Sequence, residues 1–252
     1  MFNKILVVCN EKLSGKHLKT VEGVKAILHG TNFSLAKSHH LKEDFFDGVD
    51  LVVTIGGDGT FIRAASFLRD ALILGINSEP EYSEGALTSI KENETDFLNE
   101  VLAGKFNIEK RTRIQIKLNG RILDKQALNE VYVGAASQFH TSRYKIKFKG
   151  KEEEQRSSGA LITTGSGSNA WYKSAGGKPF AKTEKKLALI VREPYSGRVF
   201  RPSIIKEEIM PGEKIIFESN REQGGIISLD SNYSYDFNKG SIVEIELSNK
   251  PL

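Results

Sequence analysis

The chain has 252 residues, of which 39% are hydrophobic and 27% charged, with a formal net charge of +4 and one cysteine, Cys9. That length suits one large domain or two small ones, and the composition is that of a globular protein with a full core. The charge is too slight to argue for a nucleic-acid partner, a single thiol excludes an intramolecular disulfide, and no run nears the ~18 apolar residues of a membrane span. The chain enters the apolar run FNKILVV at once, with no signal or Arg-rich transit segment ahead of it, so a reduced, cytoplasmic protein is expected, with no membrane partner.

Residues 4–9 read as a buried strand, with Cys9 a plain buried thiol. Over residues 13–30, Leu18, Val21, Val24 and Leu28 recur at three- and four-residue spacing and predict a helix. NFSLAKSH (32–39) is a second, more polar strand, and VDLVVTI (49–55) a third, apolar like a parallel strand covered on both faces. TFIRAASFLRD (60–70) fits a helix and ALILGIN (71–77) a fourth strand. This alternation predicts an open α/β layer. ETDFLNEVLAG (94–104) is a short helix. From Phe106 the texture changes to short alternating segments: RIQIKLNG, YKIKFKG, SGALITT, KLALIV, EKIIFES, GGIISLD and SIVEIEL. The expected fold is therefore α/β plus β-rich: an open α/β domain over residues 1–99, then a β-sandwich-like domain over 100–252 whose last residues can pack back on the first. The charge runs KEEEQR (151–156) and KTEKK (182–186) read as solvated loops, and no metal site is expected, since His39 and His40 have no cysteine or acid at ligand spacing.

The third strand runs into Thr-Ile-Gly-Gly-Asp-Gly-Thr, residues 54–60. Glycines let a ligand approach the backbone, successive amides in such a turn cradle phosphate oxygens, and the next helix adds its positive N-terminal end. Ligands in open α/β sheets gather beyond the carboxyl ends of the strands, where this turn falls. A phosphate cradle does not want a carboxylate, so Asp58 needs its own task. It can accept a proton from an attacking hydroxyl, hold a magnesium ion on phosphate oxygens, or only cap the helix. No Lys follows the last glycine, so this is not the nucleotide P-loop. The motif Gly-Gly-Asp-Gly-Thr resembles that of the NAD kinases and of the diacylglycerol and sphingosine kinases, with a looser likeness to phosphofructokinases.

Further segments narrow the likeness. In ALNEVYVG (127–134), Asn129 and Glu130 offer donors and acceptors suited to ribose hydroxyls and a purine edge, or simply form a turn before a strand. RSSGALITTGSGSNAWYKSAGG (156–177) is a loop of small residues in which Ser166 and Ser168 offer hydroxyls, and Trp171 either stacks on a base or fills the core. It is similar to the NAD kinase motif Thr-Pro-Thr-Gly-Ser-Thr-Ala-Tyr followed by Ser-Ala-Gly-Gly, with Gly165 in place of Pro and Trp171 in place of Tyr. Asp230-Ser231-Asn232 resembles the family's Asp-Gly-Gln, and LGIN (74–77), RTR (111–113) and RVFRPS (198–203) also fit. The likeness runs from Ile5 to about Ile245. NSEPEYSEGAL replaces a shorter glycine loop. This loop and Trp171 resemble the mitochondrial branch of eukaryotic NAD kinases. Ser158 stands where most of the family has Asp, which unsettles any contact near the nicotinamide end.

The resemblance implies transfer of a phosphoryl group from ATP or polyphosphate, accompanied by Mg²⁺, to the 2′-hydroxyl of the adenosine ribose of NAD. Asp58 would accept the hydroxyl proton, with Gly57, Gly59, Arg63 and Asn77 around the phosphates, although Arg63 equally suits a solvated helix face. Asn129 and Glu130 would hold ribose and base. Ser166, Asn169, Ala170, Trp171, Ser174 and Asn232 would line the dinucleotide cleft, and Arg156 and Ser158 would touch its phosphates or nicotinamide end. Relatives assemble through the β-rich domain, so a homodimer or homotetramer is expected. A lipid kinase of the diacylglycerol type would share the glycine turn but not the Asn-Glu and TGSGSNAW segments, and a sensor that binds NAD(P) without catalysis would not need Asp58.

Overall fold

The computed structural model describes residues 2–11 and 14–252. It divides into two units, Met1–Glu109 and Lys110–Leu252. In the first, β1 (Ile5–Cys9), α1 (Gly15–Ile27), β2 (Phe33–Lys37), β3 (Leu51–Gly56), α2 (Asp58–Ala65), β4 (Leu72–Asn77), β5 (Ile90–Lys91) and α3 (Phe97–Leu102) follow in order. The five strands form a parallel sheet in the order β2-β1-β3-β4-β5. β1 and β3 are buried along their whole length, as their unbroken apolar runs require of strands covered on both faces. Ile5, Val7, Leu51, Val53 and Ile55 share a core with Val21, Val24 and Leu28 from the α1 segment and Leu98 of α3. Leu13, where the first predicted helix begins, lies outside the described residues. Ser14 caps α1, accepting from the His17 amide at 3.2 Å.

The division falls ten residues beyond the predicted boundary at 99/100. The cause is α3: the predicted boundary cuts it, whereas Leu98, Val101 and Leu102 all pack on the core of the first unit, so the whole helix and the segment leaving it stay with the α/β layer.

The second unit holds β6 (Ile114–Leu118), β7 (Arg121–Ile122), β8 (Glu130–Ala135), β9 (Ser142–Phe148), β10 (Lys151–Ser157), β11 (Ala160–Thr163), α4 (Trp171–Ser174), β12 (Leu187–Val191), β13 (Lys206–Ile209), β14 (Lys214–Ser219), β15 (Gly225–Leu229), β16 (Tyr233–Asp236) and β17 (Ile242–Leu247). They form two six-stranded antiparallel sheets, β10-β9-β14-β17-β6-β7 and β13-β12-β11-β8-β15-β16. Alternate residues of both sheets, among them Ile116, Ile146, Phe217 and Ile245 of one and Val131, Val133, Ile162, Leu189 and Ile227 of the other, enter one core. The last residues stay with this unit: the amide of Leu252 donates to the Arg111 carbonyl at 2.9 Å, and the Arg113 guanidinium donates to the carbonyls of Lys250 and Pro251.

KEEEQR is not a loop. It is strand β10, paired antiparallel with β9 at the edge of its sheet. Gln155 and Ser157 turn inward and are buried, while the charged residues line the open edge, where they discourage pairing with another chain. Among the described residues, no helix is long and apolar enough to cross a membrane.

Candidate functional site

Two clusters collect the residues singled out from the sequence, one in each unit. The first lies at the carboxyl end of β3. Gly57 is the cap residue of α2 and Asp58 its first residue. The Asp58 carboxylate does not cap the helix. It reaches the loop after β4, accepting from the Leu87 amide at 2.7 Å and the Ala86 amide at 3.1 Å. The Asp58 amide in turn donates to Ser83 Oγ at 3.1 Å. Asn77, at the end of β4, is buried and serves the same loop: its Nδ2 donates to the Ser83 carbonyl and its Oδ1 accepts from the Glu79 amide, both at 3.1 Å. Asn77 thus shapes the loop rather than pointing a free carboxamide at a ligand. Gly59 is exposed, with open space where a side chain would stand, so an anion can reach the backbone there. Arg63 is half-buried in the last turn of α2. Among the described residues no group of three or more His, Cys, Asp or Glu is arranged to hold a metal ion.

The second cluster is built on β8. The alternation of this strand sends Val131 and Val133 into the sandwich core and Glu130 and Tyr132 to the opposite face. The approach to β8 is shaped by Asp230. Its carboxylate accepts from three consecutive amides, Leu128 at 2.7 Å, Asn129 at 2.8 Å and Glu130 at 3.0 Å. Asp230 and Ser231 both have left-handed backbones, with φ of 49° and 57°. The Asn129 carbonyl accepts from the Thr164 amide at 2.9 Å and Thr163 Oγ1 at 3.0 Å, and Thr164 Oγ1 donates to the Leu128 carbonyl. With these groups satisfied, three side-chain atoms of this cluster, among several such in the described residues, are left buried and without a hydrogen-bond partner: Asn129 Oδ1, Glu130 Oε2 and Ser166 Oγ. Such orphaned atoms are rare in native proteins and call for a partner. Burial, and secondarily the charge of Asp230, push the Glu130 carboxyl up to about 7. Burial pushes Asp230 up to about 6 against the pull of its three amides.

Ser168 does not offer its hydroxyl. It donates to the Gly165 and Phe180 carbonyls and accepts from the Phe180 amide, holding the loop shut on residue 180. Asn169 and Ala170 are exposed, and Ser174 Oγ donates to the Ala170 carbonyl at 3.4 Å. Trp171 packs against the small buried cluster of Tyr132, Leu161, Tyr172, Ala188 and Ile190. It is half-buried, stacks on Tyr132 with ring centres 5.5 Å apart, and carries the Arg192 guanidinium at 5.1 Å. Tyr132 donates its hydroxyl to the Ala135 and Ser158 carbonyls, and the Ser158 amide donates to the Arg192 carbonyl, so Ser158 joins this group. Arg156 projects from the edge strand β10 of the other sheet, over the ring of Phe200 at 4.5 Å. Asn232 ends the Asp230 turn, its amide donating to the Leu229 carbonyl at 2.9 Å.

The sequence reading missed Ser83, Tyr132 and Arg192 and gave Asp230 no role. Asp230 carried a signal in its likeness to the family's Asp-Gly-Gln, and Ser83 and Tyr132 lie in the quoted segments NSEPEYSEGAL and ALNEVYVG, but nothing in their local sequence marked these side chains out; Arg192 lies in no motif.

The model of the ATP-NAD kinase N-terminal domain matches residues 3–106. The NAD kinase of Pyrococcus abyssi is 31% identical over 220 residues, covering 83% of this chain and 76% of that one. The chain belongs to the NAD kinase family. A probable NADH kinase of Oryza sativa subsp. japonica is 28% identical over 254 residues, covering 91% of this chain and 78% of its own. Among solved structures, an NAD kinase from Archaeoglobus fulgidus in complex with ATP matches at a TM-score of 0.77 and 25% identity, over 98% of this chain and 91% of that one. Yeast NADH kinase complexed with NADH shares the fold, at a TM-score of 0.81 and 17% identity over 99% of this chain and 82% of its own.

The NAD kinase motif has Pro where this chain has Gly165. A Cβ at Gly165 would meet the Ala181 carbonyl oxygen at 2.1 Å and the Lys182 Cα at 2.7 Å, both backbone. Gly165→Pro should therefore lower stability, by about 1–3 kcal/mol in urea denaturation, even though it restores the family's residue.

Glu130 makes a second expectation. An acid whose folded pKa lies above its unfolded value near 4.5 contributes stability that is fully present below 4.5 and lost as pH rises through about 7. The ligand-free protein should thus be less stable at pH 8.5 than at pH 5.5. Glu130→Gln should shrink that difference, by up to roughly 2 kcal/mol. Asp230 acts in the same direction and remains in the variant, so the slope falls without vanishing. Urea titrations at the two pH values check this.

Proposed function

We propose that this protein phosphorylates the 2′-hydroxyl of the adenosine ribose of NAD, giving NADP, with ATP as phosphoryl donor. Family membership supports the reaction. The observation that carries the substrate reading is the trio of orphaned buried atoms on Asn129, Glu130 and Ser166. A carboxamide oxygen, a carboxyl oxygen and a hydroxyl converge in chemistry on a ligand rich in hydroxyl and amino donors, as an adenosine is. Trp171, stacked on Tyr132 of the same strand β8 that carries Glu130, would line the dinucleotide site together with Asn169, Ala170, Ser174 and Asn232.

In this reading Asp58 accepts the proton of the ribose hydroxyl as that oxygen bonds to the γ-phosphorus and the bond to the ADP oxygen breaks. Each carboxylate oxygen accepts one loop amide, and a carboxylate has room for further donors, so both amides can stay while the hydroxyl docks. The amides hold the carboxylate plane, which is what alignment requires. Gly57, Gly59 and the N-terminal end of α2 favour the donor's negative charge, and Arg63 extends that field from the helix's last turn. Mg²⁺ arrives with ATP as part of the substrate and neutralises its phosphates. Polyphosphate would present the same anionic face. Arg156 adds positive charge from β10. Assembly into a homodimer or homotetramer through the second unit, and work in the cytoplasm, complete the proposal.

Incubation with NAD, ATP and Mg²⁺ should yield NADP, followed by a dehydrogenase specific for that product. Asp58→Asn should lower kcat by a factor on the order of 10² or more. It also sets an amide NH₂ against the Ala86 and Leu87 amides, so a urea curve on the same sample separates lost chemistry from lost folding. Near-full activity would return Asp58 to a purely structural role.

NADH is a second acceptor to test, because Ser158 puts no carboxylate beside Arg192 and Trp171. The oxidised nicotinamide ring is cationic and the reduced ring is not. Ser158→Asp should raise the NAD⁺/NADH ratio of kcat/KM by about fivefold, the worth of roughly 1 kcal/mol between unit charges ~4 Å apart in water. An unchanged ratio with activity retained would separate residue 158 from the nicotinamide.

A further inference from the structure

We propose that Ser83 is the positioning residue for Asp58, acting as the cap that helix α2 lacks. The inference rests on the reading of Asp58 as proton acceptor. A helix starts with backbone amides that have no partner inside it, and the residue before it usually supplies a side-chain oxygen. In α2 that residue is Gly57, which has none. A Cβ built on Gly57 would meet Ser83 Oγ at 2.5 Å and Ser83 Cβ at 2.6 Å. Ser83 therefore stands where the missing cap side chain would be. Its hydroxyl oxygen accepts from the Asp58 amide at 3.1 Å, satisfying from another loop the first of the unpaired amides at the helix start, where an ordinary cap takes the second or third.

The exchange is reciprocal. Ser83 holds the Asp58 backbone, and three and four residues farther on, the same loop holds the Asp58 side chain through the amides of Ala86 and Leu87. The loop has its own footing. The Ser83 carbonyl accepts from buried Asn77, and the Ser83 amide donates to the Glu79 carbonyl at 3.0 Å. Farther back, Ser78 Oγ lies 2.8 Å from His17 Nδ1 of α1, and Glu79 Oε2 accepts from Asn10 at 3.0 Å. The loop is thus tied to β1, α1 and β4 before it reaches Asp58. Ser83 is where that rigidity passes to the helix start that carries the acid. Removing its hydroxyl leaves the loop's footing and the two amide bonds to the carboxylate, but frees the Asp58 backbone to turn about them.

Ser83→Ala should lower kcat about tenfold, while KM for NAD and for ATP stays within twofold, because misalignment of a reacting group acts on the chemical step. The same substitution should do little in an Asp58→Asn background, followed with radiolabelled ATP over long incubations, since the hydroxyl acts only through the acid. A kcat within twofold of the parent overturns the proposal. So does a rise in KM at constant kcat, which would mean that Ser83 touches substrate, or an equal tenfold loss in both backgrounds. If instead Asp58→Asn alone leaves the rate unchanged, the reading of Asp58 fails, and the Ser83→Ala kcat is then the loss of a structural cap.

Discussion

One carboxylate organises the second unit's half of the chemistry. Asp230 sits in a left-handed turn after β15 and accepts from three successive amides roughly a hundred residues earlier in the chain. A charge set this deep is costly unless its lone pairs are filled. Those three amides fill them and fix the path of Leu128–Glu130. The Asn129 carbonyl is then free to take the Thr163 hydroxyl and the Thr164 amide, which anchors the Gly-Ser loop after β11. With backbone needs met internally, the side chains of Asn129, Glu130 and Ser166 are left as the unsatisfied groups. Glu130 feels the same carboxylate a second way, since the charge of Asp230 adds to burial in raising its pKa.

The first unit uses the same device with the acid moved to the helix start. Asp58 takes two amides from the loop after β4, and that loop returns a hydroxyl to the Asp58 amide. In each unit a carboxylate satisfies backbone amides distant in sequence and thereby holds a loop in place. The difference is exposure. Asp58 remains half open and can take a further donor, whereas Asp230 spends its lone pairs on structure and leaves recognition to its neighbours.

Much of this was legible from local pattern. The parallel strands of the first unit followed from unbroken apolar runs, and the sandwich from short alternating segments. The glycine turn, the Asn-Glu pair and the small-residue loop pointed to residues that the fold gathers into two clusters. The misreadings have a common source. KEEEQR looked solvated because charge dominates its composition, yet Gln155 and Ser157 occupy the inward positions of an edge strand, and hydrogen bonding to β9 does not depend on side-chain polarity. The boundary at 99/100 divides α3, whose Val101 and Leu102 pack on the first core with Leu98. Asn77 and Ser168 were read as offering groups to a ligand, and both are consumed by neighbouring loops.

The sequence by itself determined most of the segments that become strand or helix, KEEEQR excepted, where the glycine turn sits, and to which family the motifs point, because periodicity, turn chemistry and motif spacing are properties of neighbours along the chain. Only the tertiary structure decided which polar groups are left over. Asp58 meets amides 28 and 29 residues away, and Asp230 meets amides 100 to 102 residues away. Trp171 of α4 meets Tyr132 of β8 and Arg192 just after β12. A hydrogen bond consumes a group regardless of sequence distance, so the atoms that remain for a ligand can be counted only after the chain has folded and satisfied all the others.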